Sequence, residues 1–141
     1  MIRKTLIAAA VLVATAAAPA SANGVTIQQF GNGHIVGGAQ LGAFNDMFIH
    51  QNGGWNETVA EQFGNGNLTV SGQDGFFNGA ATHQTGNGNS IGVGQFGFGH
   101  QSSTTQVGNG NVSATIQGGV GCNSDVVQAG NGNVSAIVQA C

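Results

Sequence analysis

The sequence predicts an all-β fold, a β-solenoid built from about five and a half 22-residue strand-turn-strand rungs. Three observations predict it. Glutamine recurs every eleven residues with no insertion, glycine stands two positions after each of the first ten glutamines, and asparagine stands five positions after most of them. A four-residue turn in an eleven-residue unit leaves about seven residues for a strand, which is a usual strand length.

The three columns run through almost the whole chain. The glutamines are Gln29, Gln40, Gln51, Gln62, Gln73, Gln84, Gln95, Gln106, Gln117, Gln128 and Gln139. The glycines are Gly31, Gly42, Gly53, Gly64, Gly75, Gly86, Gly97, Gly108, Gly119 and Gly130, and Cys141 holds the eleventh place. The asparagines are Asn45, Asn56, Asn67, Asn78, Asn89, Asn111 and Asn133, with His34, His100 and Cys122 in the other places.

The segments after the glutamines have the composition of tight turns. Gly-Asn-Gly-Asn occurs in every second unit, after Gln62, Gln84, Gln106 and Gln128, and bulkier versions lie between. Gly and Asn are the residues that best tolerate positive φ, which a tight reversal of a strand requires. The alternation makes the full unit 22 residues long, with one extra half-repeat near Gln51 shifting the phase of the first unit.

Side chains alternate along a strand, so the Asn that opens a unit and the Gln that closes it face the same side. Stacked rungs then place Gln over Gln and Asn over Asn. An amide carries both donors and an acceptor, so identical amides about 4.8 Å apart can hydrogen-bond in a ladder. A slip of one residue would turn every Gln toward water, so the ladder also determines the register.

The N-terminus has the three parts of a secretory signal peptide. Arg3 and Lys4 precede the apolar run 6–18, and Ala20-Ser21-Ala22 forms a small-residue cleavage site. A transmembrane anchor is the competing interpretation, but the run is too short and too alanine-rich for a bilayer of about 30 Å. The predicted organisation is a signal peptide at 1–22, a short N-terminal segment at 23–28 and a repeat domain at 29–141.

Charge excludes one class of function. Arg3 and Lys4 are the only basic residues besides histidine, and the chain has five Asp and Glu in total. Nucleic-acid binding depends on Lys and Arg that neutralise phosphates, so it is excluded for the segment after the signal peptide. Disordered coils stay soluble through charge, whereas uncharged chains rich in Gly, Asn and Gln tend to associate.

The ends of the repeat array carry no sequence feature that would prevent pairing. Soluble solenoids usually end in atypical polar caps, and edge strands are usually blunted by Pro, Lys or charge. After Ala22 the sequence contains no Pro, Lys or Arg. We therefore expect both ends of the solenoid to stack end to end with further copies.

The repeat resembles that of the curlins, the subunits of bacterial curli amyloid. The stretches from Gln62 to Gln73, Gln84 to Gln95, Gln106 to Gln117 and Gln128 to Gln139 match it most closely. The resemblance implies a subunit that crosses the periplasm, leaves through a dedicated outer-membrane secretion machinery and polymerises with itself at the cell surface on a nucleator subunit. The extracellular fibres would serve biofilm matrix and adhesion; whether this chain is a major or minor subunit stays open.

The two cysteines fit the solenoid as a possible disulfide. Cys122 closes the turn after Gln117, and Cys141 enters the turn one rung above, so the thiols could bond in an oxidising compartment. Free or intermolecular thiols are the alternative.

No enzyme, cofactor or metal site is predicted. His34 and His100 replace Asn three rungs apart, while His50 and His83 point the other way, so no two adjoin in one column. No nucleophile motif accompanies them. The strongest rival function is a monomeric β-solenoid binding module for ice or carbohydrate, which a flat column of Thr would favour; the outward positions are mixed instead.

Overall fold

The computed structural model describes residues 22–141, which form eleven β-strands and, within that range, no helix. The predicted signal peptide lies outside the described residues except for Ala22. The strands are β1 (Gly24–Asn32), β2 (Ile35–Ala43), β3 (Asp46–Gly54), β4 (Glu57–Asn65), β5 (Leu68–Phe76), β6 (Gly79–Thr85), β7 (Ser90–Phe98), β8 (Gln101–Val107), β9 (Val112–Val120), β10 (Asn123–Ala129) and β11 (Val134–Ala140).

The strands divide into two parallel sheets. The odd-numbered strands form a six-stranded sheet in the order β1-β3-β5-β7-β9-β11, and the even-numbered strands form a five-stranded sheet. Each strand from β1 to β9 pairs in parallel with the strand two further along, in a register that places glutamine beside glutamine, as in Gln29 beside Gln51 and Gln106 beside Gln128. The predicted all-β solenoid with a 22-residue rung is confirmed.

A thin core lies between the two sheets. Alternate side chains of the strands from β3 to β10 are buried, and Met47, Ile49 and Ala60 form one apolar cluster in the early rungs. Ile91 and Val93 belong to a second cluster in the middle. Most other buried side chains are amides or hydroxyls. The amides are hydrogen-bonded along the stack, whereas six buried hydroxyls of the middle and late rungs, Thr104 and Ser113 among them, have no hydrogen-bond partner within residues 22–141.

Seven of the eleven strands have nine residues, two more than the sequence predicts, and the other four have seven. β4, for example, runs through Gly64 to Asn65, so that only Gly66 and Asn67 separate it from β5. In these longer strands the glycine at positive φ bends the chain while the parallel pairing continues, as at Gly42 beside Gly64. Residues 24–28, which precede the first ladder glutamine, form the first half of β1.

The two edges of the slab carry different residues. The asparagine corner follows each even strand and includes the column Asn65, Asn87, Asn109 and Asn131. The aromatic corner follows the odd strands β3, β5 and β7 and consists of Trp55, Phe76, Phe77 and Phe98. The side chains of both columns lie on the surface, and most are about half exposed or more.

Candidate functional site

Two glutamine ladders run through the length of the solenoid, one in each sheet. Each side-chain Nε2 donates to the Oε1 of the glutamine 22 residues later, over distances of 2.7 to 3.2 Å. In the odd sheet, for example, Gln73 donates to Gln95, which donates to Gln117. All nine of these bonds point toward the C-terminal rung. The ladders therefore have a direction.

The second N–H of each glutamine ties the two sheets together. Gln84 Nε2 donates to the carbonyl oxygen of Leu68 in the facing sheet at 3.0 Å, and Gln95 Nε2 donates to that of Gly79 at 2.8 Å. Both glutamines are completely buried. A buried amide without partners would be costly, but here donors and acceptor are all used.

The asparagine column lies just before the strands, and its side chains hydrogen-bond to the backbone of the bends in adjoining rungs. Asn67 Nδ2 donates to Gly86 O one rung ahead at 2.9 Å, and its Oδ1 accepts from Asn89 N at 3.0 Å. Histidine replaces it as an acceptor, since the Nδ1 atom of buried His100 accepts from Cys122 N at 3.1 Å, while its Nε2 lies 3.2 Å from Phe96 O in its own bend. The histidines that substitute for Asn therefore act as hydrogen-bond acceptors within the column.

The column has a further member that the glutamine-based count missed. Asn23 Oδ1 accepts from Asn45 N at 3.0 Å, as Asn45 Oδ1 does from Asn67 N. The signal was present in the sequence, because Asn23 stands six residues before Gln29 just as Asn45 stands six before Gln51. The first strand is thus a complete repeat.

The glycine column allows consecutive rungs to approach closely at the bends. The ten glycines from Gly31 to Gly130 all have φ between +107° and +133°, a region that other residues rarely adopt. At most of them a Cβ would also overlap the carbonyl oxygen of the glycine one rung ahead, as Gly64 would overlap Gly86. Both conformation and space therefore require glycine there.

The ladders are incomplete at both ends of the described structure. Within residues 22–141 no side-chain amide reaches the Oε1 of Gln29 or Gln40, the first rung of each ladder. At the other end Gln128 and Gln139 donate only to backbone, to Val112 O and Asn123 O. One end thus presents amide oxygens and the other amide N–H groups.

A disulfide joins Cys122 to Cys141, with Cα atoms 5.7 Å apart. Backbone bonds accompany it, since Cys141 N donates to Gly118 O at 3.0 Å and Val120 N donates to Cys141 O at 3.1 Å. The bridge connects the end of the edge strand β11 to the bend between β9 and β10. The last rung is therefore held by covalent and backbone bonds together.

Reduction of this disulfide is expected to lower the free energy of unfolding by roughly 3 kcal/mol, because the bond closes a loop of about twenty residues in the unfolded chain. Urea unfolding of freshly purified, unassembled protein with and without reductant measures the difference. The Cys122→Ser/Cys141→Ser double variant is the control and should not respond to reductant. Equal stability of the oxidised and reduced protein would show that the bond leaves the unfolding equilibrium unaffected.

The aromatic corner is strained as well as exposed. Trp55 and Phe77 have φ of 57° and 58°, at the place where Gly66 supplies φ of 66° on the opposite corner. Left-handed conformation costs a residue with a Cβ about 1–2 kcal/mol. Trp55 and Phe77 lie with their rings parallel within 5° and centroids 6.5 Å apart, and Phe98 packs against Phe77 at 5.3 Å. The result is a continuous apolar ridge along one corner.

Phe77→Gly is expected to change the free energy of unfolding by less than about 1 kcal/mol, because relief of left-handed strain offsets the loss of a half-exposed ring. Phe98→Gly is the matched control, since Phe98 is equally exposed but has no positive φ. It should cost about 2 kcal/mol, from lost ring contacts and added chain flexibility. Urea unfolding of unassembled protein compares them, and equal losses would contradict the strain argument.

Ionisable side chains do not converge on a metal centre: within residues 22–141 no three His, Cys, Asp or Glu side chains come close enough to hold an ion. The nearest ionisable pair is His83 with Glu61, whose Nδ1 and Oε2 atoms lie 3.1 Å apart on the outer face of the even sheet. Both side chains are substantially exposed, so the pair is a weak surface contact.

No family model matches this chain, and no curated protein or solved structure shows detectable similarity to it. No helix in the described part of the chain is long and apolar enough to cross a membrane. The function is therefore inferred from the glutamine ladders, from their two ends and from the surfaces of the solenoid.

Proposed function

We propose that this protein is a secreted structural subunit that assembles end to end into curli-like amyloid fibres on the bacterial surface. The observation that carries the proposal is the complementarity of the two ladder ends. Among residues 22–141 no side-chain donor reaches the Oε1 atoms of Gln29 and Gln40, while Gln128 and Gln139 each retain an N–H for a further acceptor. A second copy of the same chain supplies the missing partner at either end.

The backbone at the ends supports the same proposal. β1 and β2 at one end, and β10 and β11 at the other, each pair on one side only within the described structure. Unpaired strand edges are templates for further strands, and natural proteins commonly protect them with Lys or Pro. Neither residue occurs in any of these four strands. Addition of another copy would extend both sheets and bury these edge groups.

The low charge of the chain favours assembly as well. Asp46, Glu57, Glu61, Asp74 and Asp125 are its only acidic residues. Stacked copies therefore bring few like charges together, and their repulsion is further screened by physiological salt. By its resemblance to the curlins, the subunit would leave the cell through an outer-membrane secretion machinery, start its fibre on a nucleator and serve biofilm matrix and adhesion. The ladder residues have structural roles, and no enzymatic role is proposed.

The test follows the assembly of the exported protein, expressed from the full chain and purified in a denaturant. At micromolar concentration after dilution, thioflavin fluorescence should rise after a lag that preformed seeds remove. Fibre diffraction should show the cross-β spacings near about 4.8 and 10 Å. Protein that folds yet stays monomeric for days would refute the proposal and favour the monomeric binding module.

A pair of end variants isolates the ladder. Gln139→Glu removes the amide donor from the last rung, whereas Val138→Glu adds the same charge to the outer face of the same strand. If the free N–H of Gln139 binds the next copy, Gln139→Glu should slow seeded elongation by about tenfold or more. The substitution replaces a hydrogen bond between uncharged groups by a repulsion, at a cost of at least about 1.4 kcal/mol in the binding of the next copy. Equal rates for the two variants would contradict a role for the ladder end.

A further inference from the structure

The two sheets of the solenoid contain unequal numbers of strands. The odd sheet has six and the even sheet has five, because the described chain forms eleven strands in strict alternation. One copy therefore ends with β11, which pairs with β9 and is followed by no further strand of the even sheet within residues 22–141. How the next copy meets this end determines the symmetry of the fibre; the inference rests on the proposed function.

Stacking without rotation leaves a defect at every joint. If β1 of the next copy pairs with β11, the odd sheets run on without a break, but the even sheets contribute only five strands for every six. One strand position, about 4.8 Å of the even sheet, then stays empty between β10 and the β2 of the next copy. The edge groups of both strands are left without backbone partners, at a cost for each buried group of about 1–3 kcal/mol.

A half-turn about the fibre axis removes the defect. Rotation by half a turn places the odd sheet of one copy in line with the even sheet of the next. Each sheet of the fibre then receives six strands from one copy and five from the next. Strands of the two sheets run in opposite directions across the slab, and the same rotation reverses that direction, so parallel pairing is retained. β10 then pairs with the next β1, and β11 with the next β2.

We propose that successive copies in the fibre are related by this half-turn. The side chains fit it, because both sheets carry the same glutamine and glycine columns in the same register. Gln128 Nε2 would donate to Gln29 Oε1 of the next copy, and Gln139 Nε2 to Gln40 Oε1 of the next copy. These are the atoms that lack a side-chain partner within one copy.

The half-turn has a visible consequence for the fibre surface. The aromatic corner of one copy lies on the same fibre edge as the asparagine corner of the next. Along each edge an aromatic block therefore alternates with an asparagine block, one block for each copy, and each copy is about 26 Å tall for five and a half rungs at the usual strand spacing. Unrotated stacking would instead place all aromatic blocks on one edge.

Cross-linking between copies distinguishes the two joints. Gln28, Val127 and Val138 are exposed, and each directly precedes a ladder glutamine on the outer face of its strand. The half-turn places Gln28 beside Val127 of the preceding copy, whereas unrotated stacking places it beside Val138. Gln28→Cys protein is co-assembled with Val127→Cys protein in one mixture and with Val138→Cys protein in the other. The native disulfide is kept in all, and wild-type fibres provide the background.

Mild oxidation of the fibres should give covalent dimers in the Gln28→Cys/Val127→Cys mixture and only background in the other. Dimers in the second mixture, in both or in neither would overturn the half-turn, although thioflavin-positive fibres in the same tubes would leave end-to-end assembly standing. Failure of wild-type protein to form fibres would overturn assembly itself, and this joint with it. Electron cryomicroscopy should independently give a rise of about 26 Å per copy with a rotation near half a turn.

Discussion

Replacement of Gln84 by Leu is expected to lower the free energy of unfolding by about 3–5 kcal/mol, measured by urea unfolding of unassembled protein. Leucine has a similar size but no hydrogen-bonding group. The substitution removes the Oε1 acceptor of Gln62 Nε2 at 3.0 Å and of Thr69 Oγ1 at 3.1 Å, and it leaves Gln106 Oε1 without its donor at 3.2 Å. Leu68 O loses a donor as well. Each unsatisfied buried group costs about 1–3 kcal/mol, and apolar burial of leucine offsets only part of the total.

Gln101→Leu is the matched control for this prediction. Gln101 is an exposed glutamine at the start of β8, in the strand that pairs with the strand of Gln84. The same chemical change there should alter stability by no more than about 0.5 kcal/mol. If Gln84→Leu also stayed within that range, the buried ladder would not be a major source of stability.

Gly64→Ala is expected to destabilise the protein by at least about 4 kcal/mol or to prevent folding, because two independent costs coincide. Gly64 has φ of +120°, outside the range that alanine readily adopts. Its Cβ would also overlap the carbonyl oxygen of Gly86. That oxygen belongs to the backbone of the next rung and accepts a hydrogen bond from Asn67 Nδ2, so it cannot move aside without breaking that bond. Circular dichroism and urea unfolding measure the loss.

Two further glycines make a graded series that remains informative if Gly64→Ala does not fold. Gly66 has φ of +66° with open space around a Cβ, so Gly66→Ala should cost only the left-handed strain of about 1–2 kcal/mol. Gly72 has open space and no positive φ, so Gly72→Ala should change stability by less than about 0.5 kcal/mol. Equal effects at Gly66 and Gly72 would contradict the conformational part of the argument.

Several features of the fold can be predicted from the sequence alone. The glutamine and glycine columns are visible in the sequence, because a repeat without insertions allows one in-register stacking. The function of each column also follows from residue chemistry, since amides form ladders and glycine allows close approach. Asn23 was not assigned to the asparagine column only because the column was counted from the first glutamine, Gln29.

Other features depend on how the chain packs at the bends. Trp55 and Phe77 are 22 residues apart, as are Phe76 and Phe98, so the repeat alone assigns them to one set of bends, and the structure adds that their rings pack together there. The strain at Trp55 and Phe77 likewise appears only once the backbone shows that the bend at their position has positive φ. The identity of a residue such as Trp or Phe does not by itself indicate a positive φ.

The sequence by itself therefore determined an all-β solenoid, its rung length, its register and its inward amide columns. The physical reason is that side chains alternate with a period of two, so an eleven-residue repeat leaves one arrangement in which like amides meet. Only the tertiary structure decided the direction of the ladders, the packing of the aromatic rings at one corner and the positive φ of Trp55 and Phe77. These depend on the choice of amide orientation and on how the chain packs at the bends, and neither follows from the identity of any one residue.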